Sequence, residues 1–127
     1  MKRTLLKSKL HCATVTQTEL HDEGSDAVNE SLLEAVNLVE HERVEIYNVS
    51  TGLRSSTCVV RTPRGSDTTC ATDAAARLAS VGDRLIVAAS DSLDESEVRG
   101  HQPGVVRVDE GNRALELTSA SAGLLRP

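Results

Sequence analysis

Alternation of apolar and polar positions dominates this chain and predicts short strands more often than helices. Residues 2–16 alternate and end on the β-branched run Thr14-Val15-Thr16, which favours a strand. Residues 43–49 and 54–62 alternate on either side of a stretch rich in Asn, Ser, Thr and Gly, which predicts a β-hairpin. Residues 84–90 form an apolar run typical of a buried strand. Shorter strands are predicted at 67–72, 105–108 and 114–117.

The first strand has a predicted apolar face and a predicted basic face. Strict alternation places one set of side chains together: Leu6, Ser8, Leu10, Cys12 and Thr14. The opposite face would carry Lys7, Lys9, His11, Ala13 and Val15. Lys9 and His11 therefore project from the same side, either as a solvated basic surface or as part of a site.

Three segments have helical character. Residues 29–39 place Leu32, Leu33, Val36 and Val39 at helical spacing, and Asn29 is a suitable N-cap. Residues 73–78 and 94–99 predict single helical turns. Many short strands with one-turn helices between them are typical of a small, mainly β barrel, here a single domain spanning residues 1–127.

Composition narrows the class of function. The formal net charge of −5 argues against a dedicated nucleic-acid binder, because phosphate contacts need clustered Lys and Arg. No apolar run approaches the roughly 20 residues of a membrane span, and the basic N-terminal segment does not fit a signal peptide. We therefore expect a cytoplasmic protein with no nucleic-acid or membrane partner.

Cysteine and histidine spacing indicates free thiols and no metal site. The three cysteines, Cys12, Cys58 and Cys70, have no CxxC spacing. None of the four histidines belongs to a ligand-spaced cluster, so we expect no metal.

Tyr47 is the only aromatic residue, so the core must be aliphatic, and a small aliphatic domain gains stability from oligomerisation.

Several short motifs occur in one register along the chain. They are Lys9-Leu10-His11, Leu20-His21, Glu23-Gly24-Ser25, Ile46-Tyr47-Asn48-Val49, Gly52, Arg54, Ser56-Thr57, Arg64-Gly65-Ser66, Ala74-Ala75-Ala76, Ala79-Ser80-Val81-Gly82-Asp83 and Asn112. In this set the chain resembles the pyruvoyl-dependent aspartate 1-decarboxylases. The resemblance implies a double-psi β-barrel and a homotetramer with active sites between neighbouring subunits. It also implies a proenzyme that cuts itself between Gly24 and Ser25, giving a β chain (1–24) and an α chain (25–127).

The resemblance assigns a covalent cofactor to the cut site. The Ser25 hydroxyl would attack the Gly24 carbonyl, giving an ester in place of the amide, and Thr57 would stabilise the oxyanion. Glycine suits the strained backbone that such an attack requires. β-Elimination then frees the short chain, and hydrolysis of the dehydroalanine leaves a pyruvoyl group at position 25. Its ketone forms a Schiff base with the substrate amine and acts as the electron sink during loss of carbon dioxide.

By the same resemblance, other residues hold the substrate. Lys9 and Arg54 form the pair of cations for an acidic substrate such as aspartate, and Arg54 offers a bidentate fork to a carboxylate. Asp73, Ala74 and Ala75 would bind it through backbone amides at the start of a helical turn. From the residues alone, a salt-bridged surface arginine is the favoured interpretation of Arg54, and an ordinary helix start is the favoured interpretation of residues 73–75.

Two positions depart from the family pattern. Cys58 stands where the family usually has a tyrosine that donates a proton to the decarboxylated intermediate. A thiol can donate a proton but is shorter, and a small buried thiol filling the strand is the alternative. Thr72-Asp73 replaces the usual Asn-Gly and adds a negative charge.

Three functions are consistent with this sequence. The first is decarboxylation of aspartate to β-alanine for pantothenate and coenzyme A synthesis. The second is a divergent pyruvoyl-dependent decarboxylase that acts on another, less acidic amino acid. The third is an unprocessed, non-catalytic barrel.

Overall fold

A computed structural model describes residues 1–19, 26–62, 69–72, 80–109 and 111–119. The strands in these ranges are β1 (Lys2–Thr14), β2 (Gln17–Glu19), β3 (Asp26–Asn29), β4 (Arg43–Asn48), β5 (Arg54–Thr62), β6 (Thr69–Thr72), β7 (Arg84–Asp94), β8 (Gly104–Val108) and β9 (Ala114–Ser119). Two short helices, α1 (Glu30–Ala35) and α2 (Glu95–Val98), complete the described secondary structure.

The strands form one sheet in the order β2-β6-β3-β5-β4-β7-β1-β8-β9. Parallel pairs join β1 to β8, β2 to β6 and β3 to β5, and the other pairs are antiparallel. The sheet curls into a half-barrel, which confirms the prediction of a small, mainly β barrel. Neither of the described helices has the length and apolar composition needed to cross a membrane.

The core packs against one face of this sheet and is aliphatic, as the single aromatic residue requires. Its buried members are Leu10, Ala13, Val15, Val28, Leu32, Leu33, Val36, Leu38, Val44, Ile46, Val59, Leu85, Val87, Ala89, Val106 and Val108. On β4 the buried residues alternate with Arg43, Glu45 and Tyr47, which therefore occupy the opposite face of the sheet. That opposite face is polar and carries the candidate site.

The predicted faces of the first strand are wrong beyond Leu10. Ala13 and Val15 are fully buried, whereas Cys12 and Thr14 are only half-buried. The cause is a β-bulge: the register with β7 shifts between Leu10 and Ala13, and Cys12 has a positive φ of 66°. A bulge inserts one residue and reverses the alternation that follows it, which period-2 patterning alone does not anticipate.

Two side chains hold this bulge. Arg84 donates from Nε and Nη2 to the Cys12 carbonyl oxygen at 2.8 and 2.7 Å. Asn112, itself buried, accepts from the Thr14 backbone N–H at 2.6 Å and donates to the Thr14 carbonyl at 2.7 Å. Contacts from β7 and from the turn before β9 therefore hold the end of β1 at the bulge.

His11 lies at this bulge, where it is partly buried and close to cationic side chains. Its Nδ1 atom is buried and has no hydrogen-bond partner within the described ranges. Burial, followed by the charges of Lys9, Arg107 and Arg84, lowers the pKa of His11 below its ordinary value of 6.5. Folding therefore favours the neutral imidazole.

The helix predicted over residues 29–39 is shorter than the periodicity suggested. Asn29 is the N-cap as predicted, and its side chain accepts from the Leu32 N–H at 3.0 Å. The helix ends at Ala35 because Asn37 adopts a left-handed φ of 56°, and the chain turns there. Val39, predicted to complete the apolar face, is 66% exposed.

The remaining element predictions are mostly confirmed. The hairpin strands correspond to β4 and β5, and the predicted strands near 105 and 114 correspond to β8 and β9. The strand predicted at 84–90 continues to Asp94, where α2 follows as the predicted polar helical turn. The helical turn predicted at 73–78 lies outside the described residues.

The lowered pKa of His11 makes stability depend on pH in a definite direction. Below about pH 6.5 the unfolded chain binds a proton that the folded chain resists, so the free energy of unfolding falls as pH decreases. We expect His11→Asn to make this decline shallower between about pH 7.5 and 5.5, measured by urea unfolding at one protein concentration.

His41→Asn is the matched control, because the His41 side chain is 76% exposed. It should retain the wild-type pH dependence. Equal slopes for wild type and His11→Asn would contradict this account of His11.

Candidate active site

The structure describes four of the predicted site residues. Lys9 lies on β1, and Arg54, Thr57 and Cys58 lie on β5. The other predicted site residues, Gly24, Ser25, Asp73, Ala74 and Ala75, lie outside the described residues. The described part of the candidate site therefore consists of β5 and the strands that flank it.

A tight turn sets the register of the β4–β5 hairpin. The Asn48 side-chain oxygen accepts from the backbone N–H groups of Ser50 and Thr51 at 2.9 and 3.1 Å. Gly52 adopts a φ of 82°, a conformation that glycine adopts without steric cost. The turn closes on the pair Tyr47 and Arg54, so the pairing of the two strands follows from the loop.

Arg54 is held against an aromatic ring on the polar face of this hairpin. Its guanidinium carbon lies 4.9 Å from the centroid of the Tyr47 ring, a cation–π contact. Stacking orients the planar guanidinium, whose N–H groups at the edge remain suited to a bidentate carboxylate contact. The tyrosine thus positions the predicted substrate-binding arginine.

The same face continues from Arg54 to a pocket at Cys58. Ser56 and Cys58 follow Arg54 at alternate positions and pair with Glu45 and Arg43 on β4. A surface pocket of about 420 Å³ is lined by Arg43, Ser56, Thr57 and Cys58. Cys58 is a free thiol and is half-buried at this pocket. Thr57 and Cys58 are consecutive residues of β5 and both line this pocket, whereas Arg54 lies farther along the same strand, on the face of Cys58.

Strand β3 begins directly after the predicted cut site in the sequence and pairs with β5, the strand that lines this pocket. β3 begins at Asp26, the residue after Ser25, and runs parallel to β5. Asp26 pairs with Val59, which directly follows Cys58. The first described residue after the predicted cut therefore lies beside the strand segment that carries Thr57 and Cys58.

Lys9 shares the polar face but is separated from β5 in the same chain. Cross-strand pairing places Lys9, Ala88, Glu45 and Ser56 in one row across β1, β7, β4 and β5. Three strand spacings separate the ends of this row, a backbone distance of about 14 Å. Lys9 and Arg54 are therefore not neighbours within one chain.

Two contributors to the site were not identified from the sequence, namely Arg43 as a lining residue and Tyr47 as the support for Arg54. The predicted hairpin contained the information needed to find Arg43. If Tyr47 pairs with Arg54, counting four residues along each strand away from the turn places Arg43 opposite Cys58.

The part of the chain that the structure describes contains no group of three or more His, Cys, Asp or Glu side chains able to hold a metal ion.

Comparison with known proteins identifies the family of this chain. The model of the aspartate decarboxylase family matches residues 1–115. An aspartate 1-decarboxylase from Leptothrix cholodnii is 49% identical over 119 residues, which cover 94% of this chain and 91% of the relative. One from Laribacter hongkongensis is 50% identical over 117 residues, covering 92% of each chain. One from Burkholderia thailandensis is 49% identical over 114 residues, covering 89% of each. The family match and the near half identity over almost the full length show that this chain belongs to the aspartate decarboxylase family.

Proposed function

We propose that this protein decarboxylates L-aspartate to β-alanine and carbon dioxide, with a pyruvoyl group that it makes from Ser25 by cutting the bond to Gly24. The β-alanine would serve pantothenate synthesis in the cytoplasm. The activity is that of the named relatives. The observation that carries the proposal for this chain is the pairing of Asp26 with Val59, next to the pocket at Cys58.

The residues around this pocket fit a pyruvoyl group. Ser25 is bonded to Asp26, and consecutive Cα atoms are only about 3.8 Å apart, so the attachment point is tied to the start of β3. The pocket, with a volume of about 420 Å³, is open to the surface, so a small substrate can enter it. Its lining supplies hydroxyl, thiol and guanidinium groups, which suit a charged, polar substrate.

Self-cleavage uses groups of the chain itself. The Ser25 oxygen forms a bond to the Gly24 carbonyl carbon, and the carbon–nitrogen bond breaks to leave an ester. The developing oxyanion needs a hydrogen-bond donor, and Thr57, on the strand beside β3, has a hydroxyl that can supply it. Once formed, the pyruvoyl ketone supplies the electrophile and the electron sink for decarboxylation.

Arg54 and Cys58 have separate tasks in the proposed reaction. Arg54, held on Tyr47, binds a substrate carboxylate and orients the amino acid. Cys58 returns a proton to the carbon that loses carbon dioxide, the step in which a positioned acid is needed. Its place in the pocket lining supports this role over that of an apolar filler.

Lys9 completes the site from a neighbouring subunit. Within one chain it is about 14 Å from Ser56 along the sheet, as three strand spacings require. We therefore propose a homotetramer in which the polar face of one subunit meets that of the next. Lys9 of one subunit would then contact the substrate held at β5 of its neighbour. The backbone amides of residues 73–75 are proposed as a further substrate contact.

Replacing Ser25 tests the origin of the cofactor. We expect the wild-type protein to appear by intact mass as two pieces, with a ketone-bearing N-terminus on the larger one. Ser25→Ala should remain a single chain near 13.6 kDa, because it lacks the attacking hydroxyl. Ser96→Ala, at an exposed serine on α2, should be cut like the wild type. Cleavage of Ser25→Ala, or an uncut wild type, would contradict the mechanism.

Replacing Cys58 tests the proposed proton donor. Cys58→Ala should still be cut but should lose about a hundredfold or more in kcat on aspartate, with a smaller change in KM. Cys58→Tyr should exceed the wild type in kcat, because a phenol reaches farther into the pocket. Cys12→Ala removes another free thiol as the control and should leave kcat unchanged. Wild-type kcat in Cys58→Ala would rule out the proton-donor role.

A further inference from the structure

The pocket beside Cys58 contains a cation that has no assigned role. Arg43 begins β4 and pairs directly with Cys58 across the hairpin. Directly opposed residues of an antiparallel pair have Cβ atoms about 4.5–5.5 Å apart and share one face of the sheet. Arg43 is also a lining residue of the 420 Å³ pocket, so its side chain borders the space next to the thiol.

The guanidinium of Arg43 is available for a ligand. Its side chain is 79% exposed, and its ion pair with Glu45 joins Nε to Oε1 at 3.8 Å. Exposed pairs of this kind are weak, and a guanidinium has five N–H donors. The other carboxylate oxygen of Glu45 accepts from the Ser56 hydroxyl, which ties Glu45 to β5. Glu45 therefore contacts Arg43 at one nitrogen and leaves other guanidinium N–H groups able to bind an anion.

Two arginines flank the polar face of the hairpin. Arg54 begins β5, and Arg43 lies opposite Cys58, four residues farther along that strand or about 13 Å. Ser56 lies between them on the same face. Cations at both ends of one face suit a ligand with two carboxylates better than a ligand with one.

We propose that Arg43 is a specificity-determining residue that binds one carboxylate of a dicarboxylic substrate in the pocket beside Cys58. This inference rests on the proposed function and names the residue that favours aspartate over amino acids with an uncharged side chain. Removing the cation weakens dicarboxylate binding and leaves self-cleavage intact, because Arg43 plays no part in the attack of Ser25 on Gly24.

Protection of Cys58 from alkylation tests this inference without requiring turnover. Iodoacetamide, an uncharged reagent, is applied with increasing succinate, and modification of Cys58 is followed by peptide mass spectrometry. Succinate should slow alkylation of Cys58 in the wild type. Succinamide, the uncharged analogue, should not.

Variants at Arg43 give the decisive comparison. Arg43→Met should raise the half-protecting succinate concentration about tenfold or more, as expected for loss of a charged hydrogen-bonding partner. Arg43→Lys keeps the charge without the planar fork and should retain part of the protection. Arg99→Met makes the same change in net charge at another exposed position and should match the wild type. Equal protection in wild type and Arg43→Met, or none in the wild type, would overturn the inference.

The activity assay separates this inference from the proposed function. In a cut and active enzyme, Arg43→Met should raise the KM for aspartate with a smaller change in kcat, and its intact mass should show normal cleavage. Arg43-dependent protection in a chain that neither cuts itself nor decarboxylates aspartate would refute the proposed function while supporting the binding role of Arg43. Activity on aspartate with protection independent of Arg43 would refute only the inference.

Discussion

The parallel pairing of β3 with β5 is the constraint on which the candidate site depends. A parallel pair needs a long crossover connection, and here that connection contains α1, β4 and the hairpin turn. It brings Asp26, adjacent in sequence to the predicted cut, beside Val59 at the pocket. A change in this register by one residue would place the opposite face of β5 next to the cut site. The chemistry proposed for Ser25 therefore depends on backbone hydrogen bonds formed by residues that take no part in the reaction.

The polar face of the sheet carries several cationic side chains, although the protein as a whole is acidic. The net charge is −5, yet Arg43 and Arg54 flank the hairpin face and Lys9 lies on the same side of the sheet. Each cation has a different support: Tyr47 stacks on Arg54, Glu45 forms an ion pair with Arg43, and Lys9 is placed by the pairing of β1 with β7 and β8. In the proposed enzyme this local excess of positive charge attracts an amino acid with two carboxylates and a net charge of about −1, which the whole protein would weakly repel.

Local patterning predicted the hairpin, the capped start of α1 and the mainly β fold, because each depends on residues close in sequence. It failed where distant contacts decide the structure. The bulge at Cys12 depends on Arg84, 72 positions away, and it exchanges the faces of β1. The site residues on β5 came from a family resemblance, whereas the role of Arg43 required the cross-strand register. Alternation along a strand shows which residues share a face, but not which strand will pair beside them.

Direct measurement of the products tests the central claim. Purified, self-cleaved protein is incubated with a panel of amino acids, and carbon dioxide and amine products are quantified, with Ser25→Ala as the blank. We expect β-alanine and carbon dioxide from aspartate in equal amounts, and little product from amino acids with uncharged side chains. A cleaved protein that forms no β-alanine from aspartate, while it decarboxylates another amino acid, would contradict the assignment.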